Sequence, residues 1–374
     1  MATDNLGLYV HIPFCASKCK YCDFSSFEGI TAQTRESYLA RLTEEAESYK
    51  SEPKIKIDTV FFGGGTPSLL TESEFKKVVS AIRKSFDISP DAEFTVEANP
   101  GTVTYEKLKA FAGEGVNRIS FGAQSFCENE LKRLGRIHSV GDIKASFEMA
   151  RRAGITNISL DLMYGIPEQT PDSFRHSLVS ALALSPTHIS AYGLIIEEGT
   201  PFYSERELLP LPTEDEECDM YLEAVRILTE AGFSHYEISN YARPSYECRH
   251  NLKYWRDQQY IGIGLSAYSY FGTSRYGNSS RIPEYISDNY TEYRQTDSLS
   301  LADEKFEYAM MRLRLAEGMS LDEYNGLFGE DFFEKNSEKI LHYKALGYIN
   351  IVNGRISLSD KGLYISNSIL AELL

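Results

Sequence analysis

Through the first two-thirds of the chain, short apolar runs alternate with longer amphipathic stretches. The runs predict strands at Leu8–Ile12, Thr59–Phe62, Glu93–Glu97, Arg118–Phe121, Ile158–Leu162 and His188–Tyr192. Between them, apolar residues recurring every three or four positions predict helices over Ala32–Lys50, Glu72–Phe86, Thr104–Glu114, Ser139–Ala153 and Pro171–Leu184. Strands spaced by helices in this rhythm pair in parallel through crossovers. Six such units fall short of the eight in a closed barrel, so the expected α/β fold is a partial (β/α)6 barrel or an open curved sheet.

A further helix is expected after Thr213, where Thr213 and Glu216 have capping-box spacing. From Glu237 to Arg281 the chain is rich in Tyr, Asn and Gly and holds its only tryptophan, Trp255. Helical periodicity returns at Leu301. A hairpin turning at Asn353-Gly354 and a last helix capped by Ser359 follow, a helical, winged-helix-like ending. The expected division is a barrel over 1–235, a linking segment over 236–300 and a small C-terminal domain over 301–374.

Charge and composition narrow the partners. The 374 residues carry 38 basic and 54 acidic side chains, a formal net charge of −16. That balance argues against a surface wrapping nucleic acid, which needs Lys and Arg for phosphates, and makes packing the expected role of the winged-helix-like unit. The first residues do not read as a secretory signal, and no apolar run reaches a membrane-spanning length. A cytoplasmic protein is expected, with peripheral membrane contact left open. Six cysteines in so long a chain do not form a disulfide framework.

Three of them, Cys15, Cys19 and Cys22, fall in one loop just past the first strand. Three thiolates can hold three corners of a cubane iron–sulfur cluster, leaving one iron open for a ligand. Buried free thiols, or zinc with His11 as fourth ligand, are the competing readings. The segment Tyr9-Val-His-Ile-Pro-Phe-Cys15-Ala-Ser-Lys-Cys19-Lys-Tyr-Cys22 resembles the radical-SAM proteins, and among them the oxygen-independent coproporphyrinogen III oxidase (HemN) family, along essentially the whole chain. The resemblance implies a 4Fe–4S cluster on these cysteines and a radical-SAM barrel. It also implies S-adenosylmethionine bound at the open iron and cleaved by an electron from the cluster.

Ligand groups of such a fold belong where strands end. The second strand runs into Gly63-Gly64-Gly65-Thr66-Pro67, where missing β-carbons admit close backbone approach. Glu97 closes the third strand, Gln124 follows the fourth and Asp161 ends the fifth. Any one reads as a solvated strand end, but all three on successive strands read as a site. By resemblance, Gly64, Gly65 and Thr66 meet the methionine end of the cofactor, Tyr9 and Tyr21 lie near cluster and adenine, and Arg136 and Gly193 are further contacts. Some of these residues meet a second cofactor molecule in the family.

Two departures separate the chain from the family's decarboxylases. Phe24 stands where they carry a fourth cysteine, and the cluster motif is reached within fifteen residues without their longer N-terminal extension. His250-Asn251-Leu252-Lys253-Tyr254-Trp255 instead resembles the His-Asn-x-x-Tyr-Trp motif of the family's haem-chaperone branch. That implies haem bound with His250 as axial ligand, Tyr254 and Trp255 against the porphyrin, and Arg249 and Lys253 near propionates. Haem-accepting proteins, such as haem enzymes of respiration, are the implied partners. The competing readings are a core histidine among aromatics, Cys248 as ligand, and a radical-SAM enzyme acting on coproporphyrinogen or another substrate.

Overall fold

A computed structural model describes residues 5–272 and 274–374. Its centre is six parallel strands, each beside the next in chain order: β1 (Leu6–Ile12), β2 (Ile55–Gly64), β3 (Phe86–Ala98), β4 (Arg118–Gln124), β5 (Asn157–Tyr164) and β6 (His188–Gly193). The connecting helices are Ala32–Ser48, Glu72–Ser85, Tyr105–Gly113, Val140–Arg152 and Pro171–Ala183, with a short extra helix, Glu128–Arg133, after β4. Thr31, Thr71, Thr104, Ser139 and Thr170 cap the five connecting helices, each side chain accepting a backbone N–H. Strand β3 begins seven residues earlier than expected, because Phe86–Ile88 pair with Ile55–Ile57 before Ser89-Pro90-Asp91.

The alternation along these strands divides two environments. Val60, Phe62, Val96, Ile119, Phe121, Leu160, Leu162 and Ile189 are fully buried in one core with the helices' apolar residues. Their neighbours on the other face are Glu97, Arg118, Ser120, Gln124, Asp161, His188, Ser190 and Tyr192, which line a cavity of about 460 Å³. The helices therefore hold the sheet by its apolar face, and its concave face carries polar chemistry.

The segment after β6 extends both edges of this sheet. At one, β8 (Asn240–Ala242) runs antiparallel beside β6 and β7 (Ser234–Glu237) runs antiparallel to β8 at the edge. At the other, β9 (Tyr260–Ile263) pairs parallel with β1 and is followed by β10 (Tyr268–Phe271), β11 (Ser274–Gly277) and β12 (Gln295–Asp297). The twelve strands form an open sheet with no closure of the barrel among the described residues. Glu45, fully buried, ties this segment to the first helix, accepting from Tyr285 (2.6 Å), Gly264 N–H (2.9 Å) and Arg294 (3.0 Å).

The C-terminal unit begins with helix Leu301–Leu313. It holds three short antiparallel strands, β13 (Met319–Ser320), β14 (Ile349–Val352) and β15 (Arg355–Leu358), with helices between and after them. Asn353 and Gly354 both have positive φ (50° and 72°), the backbone a two-residue hairpin needs. Ser359 caps the next helix, accepting from Gly362 N–H. No helix among the described residues is long and apolar enough to cross a membrane.

Candidate functional site

The cysteine loop is clasped at its base and on its flank. Cys15 N–H donates to Phe27 O (2.9 Å) and Phe27 N–H to Pro13 O (2.8 Å), closing the loop beyond β1. Lys20 N–H donates to Leu134 O and Phe202 N–H to Lys20 O, joining the loop to the segments that follow β4 and β6. Cys15, Cys19 and Cys22 are all half-buried and all line the cavity mouth.

Each sulfur has a hydrogen-bonding group beside it. Arg136 Nη1 donates to Cys19 Sγ (3.3 Å), Thr66 Oγ1 lies 3.7 Å from Cys15 Sγ, and Ser26 Oγ lies 3.9 Å from Cys22 Sγ. Donors around thiolates suit the negative sulfurs of an iron–sulfur cluster. As a thiol, Cys22 is pushed up in pKa by burial. His11 does not join this set. It is buried, its Nδ1 is bonded to Tyr9 OH (3.0 Å) and its Nε2 to Ser25 O (2.9 Å), so the competing zinc reading has no free imidazole nitrogen.

The glycine loop lies directly under the cysteine loop. Gly64 has φ +107°, and a β-carbon there would sit 2.5 Å from His11 Cε1; one on Gly65 would sit 2.8 Å from Phe14 O. The protein's own packing thus already demands both glycines, before any ligand approaches. Gly64 N–H donates to Glu97 Oε2 (3.2 Å). Thr66 is buried behind the loop, accepting from Asn99 Nδ2 (2.9 Å), and does not line the cavity.

Deeper in, the strand-end residues converge. Burial and the nearby Asp161 charge push the Glu97 carboxyl up to about 8. Burial also raises Asp161, opposed by hydrogen bonds from Ser190 (2.9 Å) and Ser120 (3.0 Å). Gln124 sits at φ +66°, a strained backbone for a residue with a β-carbon, and its side chain accepts from Tyr192 OH (2.6 Å). Arg136 is fixed by Gly122 O (2.7 Å) and Asn99 besides Cys19. Tyr21 and Gly193 complete the wall, while Tyr9 lies behind it, stacked on Phe61. Of the expected positions, the cavity does not reach Tyr9, Thr66 or His250, nor the haem-motif neighbours Arg249, Lys253, Tyr254 and Trp255.

His250 lies outside the cavity lining. Its helix, Arg249–Trp255, sits near the amino-terminal ends of the central strands, opposite the cysteines, with Glu93 accepting from Arg249 N–H and His250 N–H (both 3.0 Å). The imidazole is 1% exposed, its ring stacks on Phe61, its Nδ1 is bonded to Thr59 Oγ1 (2.9 Å) and its Nε2 to Tyr254 OH (2.8 Å). Burial holds its pKa down at about 3, so the ring is neutral, and both its nitrogens are hydrogen-bonded within the core. Lys253 is likewise buried and paired with Asp58 (2.8 Å) rather than presented to a propionate. Cys248 is buried, its thiol pushed up to about 12 by burial. Asn251 is the motif residue that lines the cavity. Arg118, Ser120, Ser190 and Asn251 were not among the expected site residues; the two-residue period on β4 and β6 was the available signal for the first three.

Comparison with known proteins agrees with this architecture. The family model for the radical SAM superfamily matches residues 9–180, and that for the HemN C-terminal domain matches residues 299–365. The solved coproporphyrinogen III oxidase (HemN) from Escherichia coli, titled a radical SAM enzyme, superposes with a TM-score of 0.84 over 99% of this chain and 90% of that one. At 24% identity it shows the fold. The chain is thus a radical-SAM protein. Curated relatives narrow this: "Heme chaperone HemW" of Lactococcus lactis is 35% identical over 98% of this chain and 96% of its own. The protein of the same name from Escherichia coli (strain K12) is 36% identical over 99% and 98%. The chain belongs to the HemW haem-chaperone family.

Proposed function

We propose that this protein is a haem chaperone that carries a 4Fe–4S cluster on Cys15, Cys19 and Cys22, binds S-adenosylmethionine beside it, and passes haem to acceptor proteins. The observation that carries the reading is the one continuous cavity that opens between the three thiols and runs to the polar strand-end residues. When bound, the cluster supplies the electron for cleavage of S-adenosylmethionine. The chain's own groups do the rest. Thr66, Ser26 and Arg136 steady the sulfurs, the glycine loop and Glu97 form the wall for the methionine end, and Gln124, Asp161 and Tyr192 offer polar contacts to ribose and adenine. Burial of this wall excludes water.

Haem binding rests on the family's name. His250 is the expected ligand to its iron only if the helix Arg249–Trp255 releases its bonds to Thr59 and Tyr254; with those bonds kept, the ligand is another group. The division into 1–235, 236–300 and 301–374 and a cytoplasmic location belong to the same proposal. The test is transfer. Protein loaded with haem and separated from excess is mixed with an apo haem protein, and the Soret band should move to the acceptor. A band that stays on the donor at equilibrium, or haem that never binds, contradicts the reading. Coproporphyrinogen oxidation is the second reading, favoured by the HemN fold and opposed by Phe24.

A further inference from the structure

Arg118 lies at the foot of the cavity. It opens β4, is 2% exposed and lines the same space as the cysteines. A guanidinium carries five donors in a fixed fork and stays charged. Yet Nε is buried without a hydrogen-bond partner, and among the described residues no carboxylate forms an ion pair with the group. The acids around it are committed elsewhere. Glu93 caps the helix Arg249–Trp255, and Asp161 accepts from Ser120 and Ser190. His188 has both ring nitrogens engaged, by Ser159 and Tyr236. Asn251 and Asn240 line the same end, and Asn240 Oδ1 also lacks a partner.

We infer that Arg118, with Asn251 beside it, is the anchor of a carboxylate-binding subsite at the floor of the cavity. A planar carboxylate matches the guanidinium fork in two parallel hydrogen bonds. The neighbouring Glu93 and Asp161 disfavour an anion of higher charge, such as a phosphate. Arg118 opens β4 and Gln124 closes it, so a ligand that meets both spans the strand, with its carboxylate at the foot of the cavity. The inference rests on the functional reading above, which supplies that chemistry as a haem propionate; the methionyl carboxylate of S-adenosylmethionine belongs at the cluster, at the other end of the cavity.

The experiment titrates the reconstituted full chain with two pairs of probes. One pair is haem and its dimethyl ester; the other is S-adenosylmethionine and its decarboxylated analogue. Trp255, the only tryptophan, sits in the floor helix and reports by fluorescence, alongside the Soret band. In the haem pair the wild type should prefer the acid by roughly tenfold or more, the scale of a charged hydrogen bond. Arg118→Gln should abolish that preference and Arg118→Lys should keep part of it, while the S-adenosylmethionine pair, whose carboxylate sits at the cluster, should be unaffected by either variant. If Arg118→Gln does not fold, the loss on Arg118→Lys carries the test. A haem preference that the variants leave unchanged or that the wild type lacks, or an effect confined to the S-adenosylmethionine pair, overturns the subsite while leaving the functional reading intact. A wild type that binds neither haem nor S-adenosylmethionine overturns both.

Discussion

Replacing His250 by Ala separates a core residue from an iron ligand. The ring is 1% exposed, stacked on Phe61 at 5.2 Å between centroids, and joins Thr59 to Tyr254 through its two nitrogens. Removing a buried ring of this size costs about 2–5 kcal/mol. Each hydroxyl left without a partner adds roughly 1–3 kcal/mol, less whatever relaxation recovers. A loss of about 3–6 kcal/mol is therefore expected, a large share of a typical domain's stability. A proton effect accompanies it. Burial, assisted by the Lys253 charge, takes the pKa from 6.5 to about 3, so the unfolded chain binds a proton in that window and the folded chain does not. Stability from this group is complete above pH 6.5 and drains as pH falls toward 3. The variant should be less stable at neutral pH and should lose less on acidification across that window. Urea titration followed by circular dichroism measures both, and haem titration of the same sample should give an unshifted Soret band. An unchanged urea midpoint with a lost or shifted Soret band would refute the core assignment and restore His250 as ligand.

Other substitutions probe other links. Gly64→Ala puts a methyl 2.5 Å from His11 Cε1 at φ +107°, so the loop must shift. The variant should retain iron but lose the response of the cluster's EPR signal to S-adenosylmethionine; an intact response would remove the glycine loop from the site. Glu45→Ala strands Arg294 and Tyr285, and breaking a buried pair of this kind costs about 3–5 kcal/mol. A melting curve identical to wild type would show that this carboxylate does not hold the edge strands. With Phe24 at the position of the decarboxylases' extra cysteine, no conversion of coproporphyrinogen III is expected under reducing conditions with S-adenosylmethionine, and product seen by chromatography would promote the second reading.

The fold was legible where outward apolar and inward polar residues alternate over long strands. Val60, Phe62, Ile119, Phe121 and Leu160 announce their strands because the helices need that face. The short outer strands Asn240–Ala242 and Ser274–Gly277 were not legible, being three or four residues long and carrying Tyr, Ser, Asn and Arg. The cysteine spacing showed a loop with three thiols. Which side chains stand around the sulfurs depended on contacts 51 and 117 residues away in the chain, from Thr66 and Arg136. The His250 motif shows the limit most clearly. Imidazole beside Tyr and Trp suits haem iron and a protein core equally well. Phe61, Thr59 and Glu93, distant in sequence, are what surround the ring and its helix in the fold.

The EPR spectrum of the reduced, anaerobically reconstituted protein, with and without S-adenosylmethionine, tests the central claim most directly. The wild type should give a cluster signal that changes on addition, through the iron the three cysteines leave open. Cys15→Ala, Cys19→Ala and Cys22→Ala should each lack that signal. A signal that persists in the single variants, or a wild-type spectrum indifferent to S-adenosylmethionine, would contradict the assignment of cluster and cofactor to the cavity mouth.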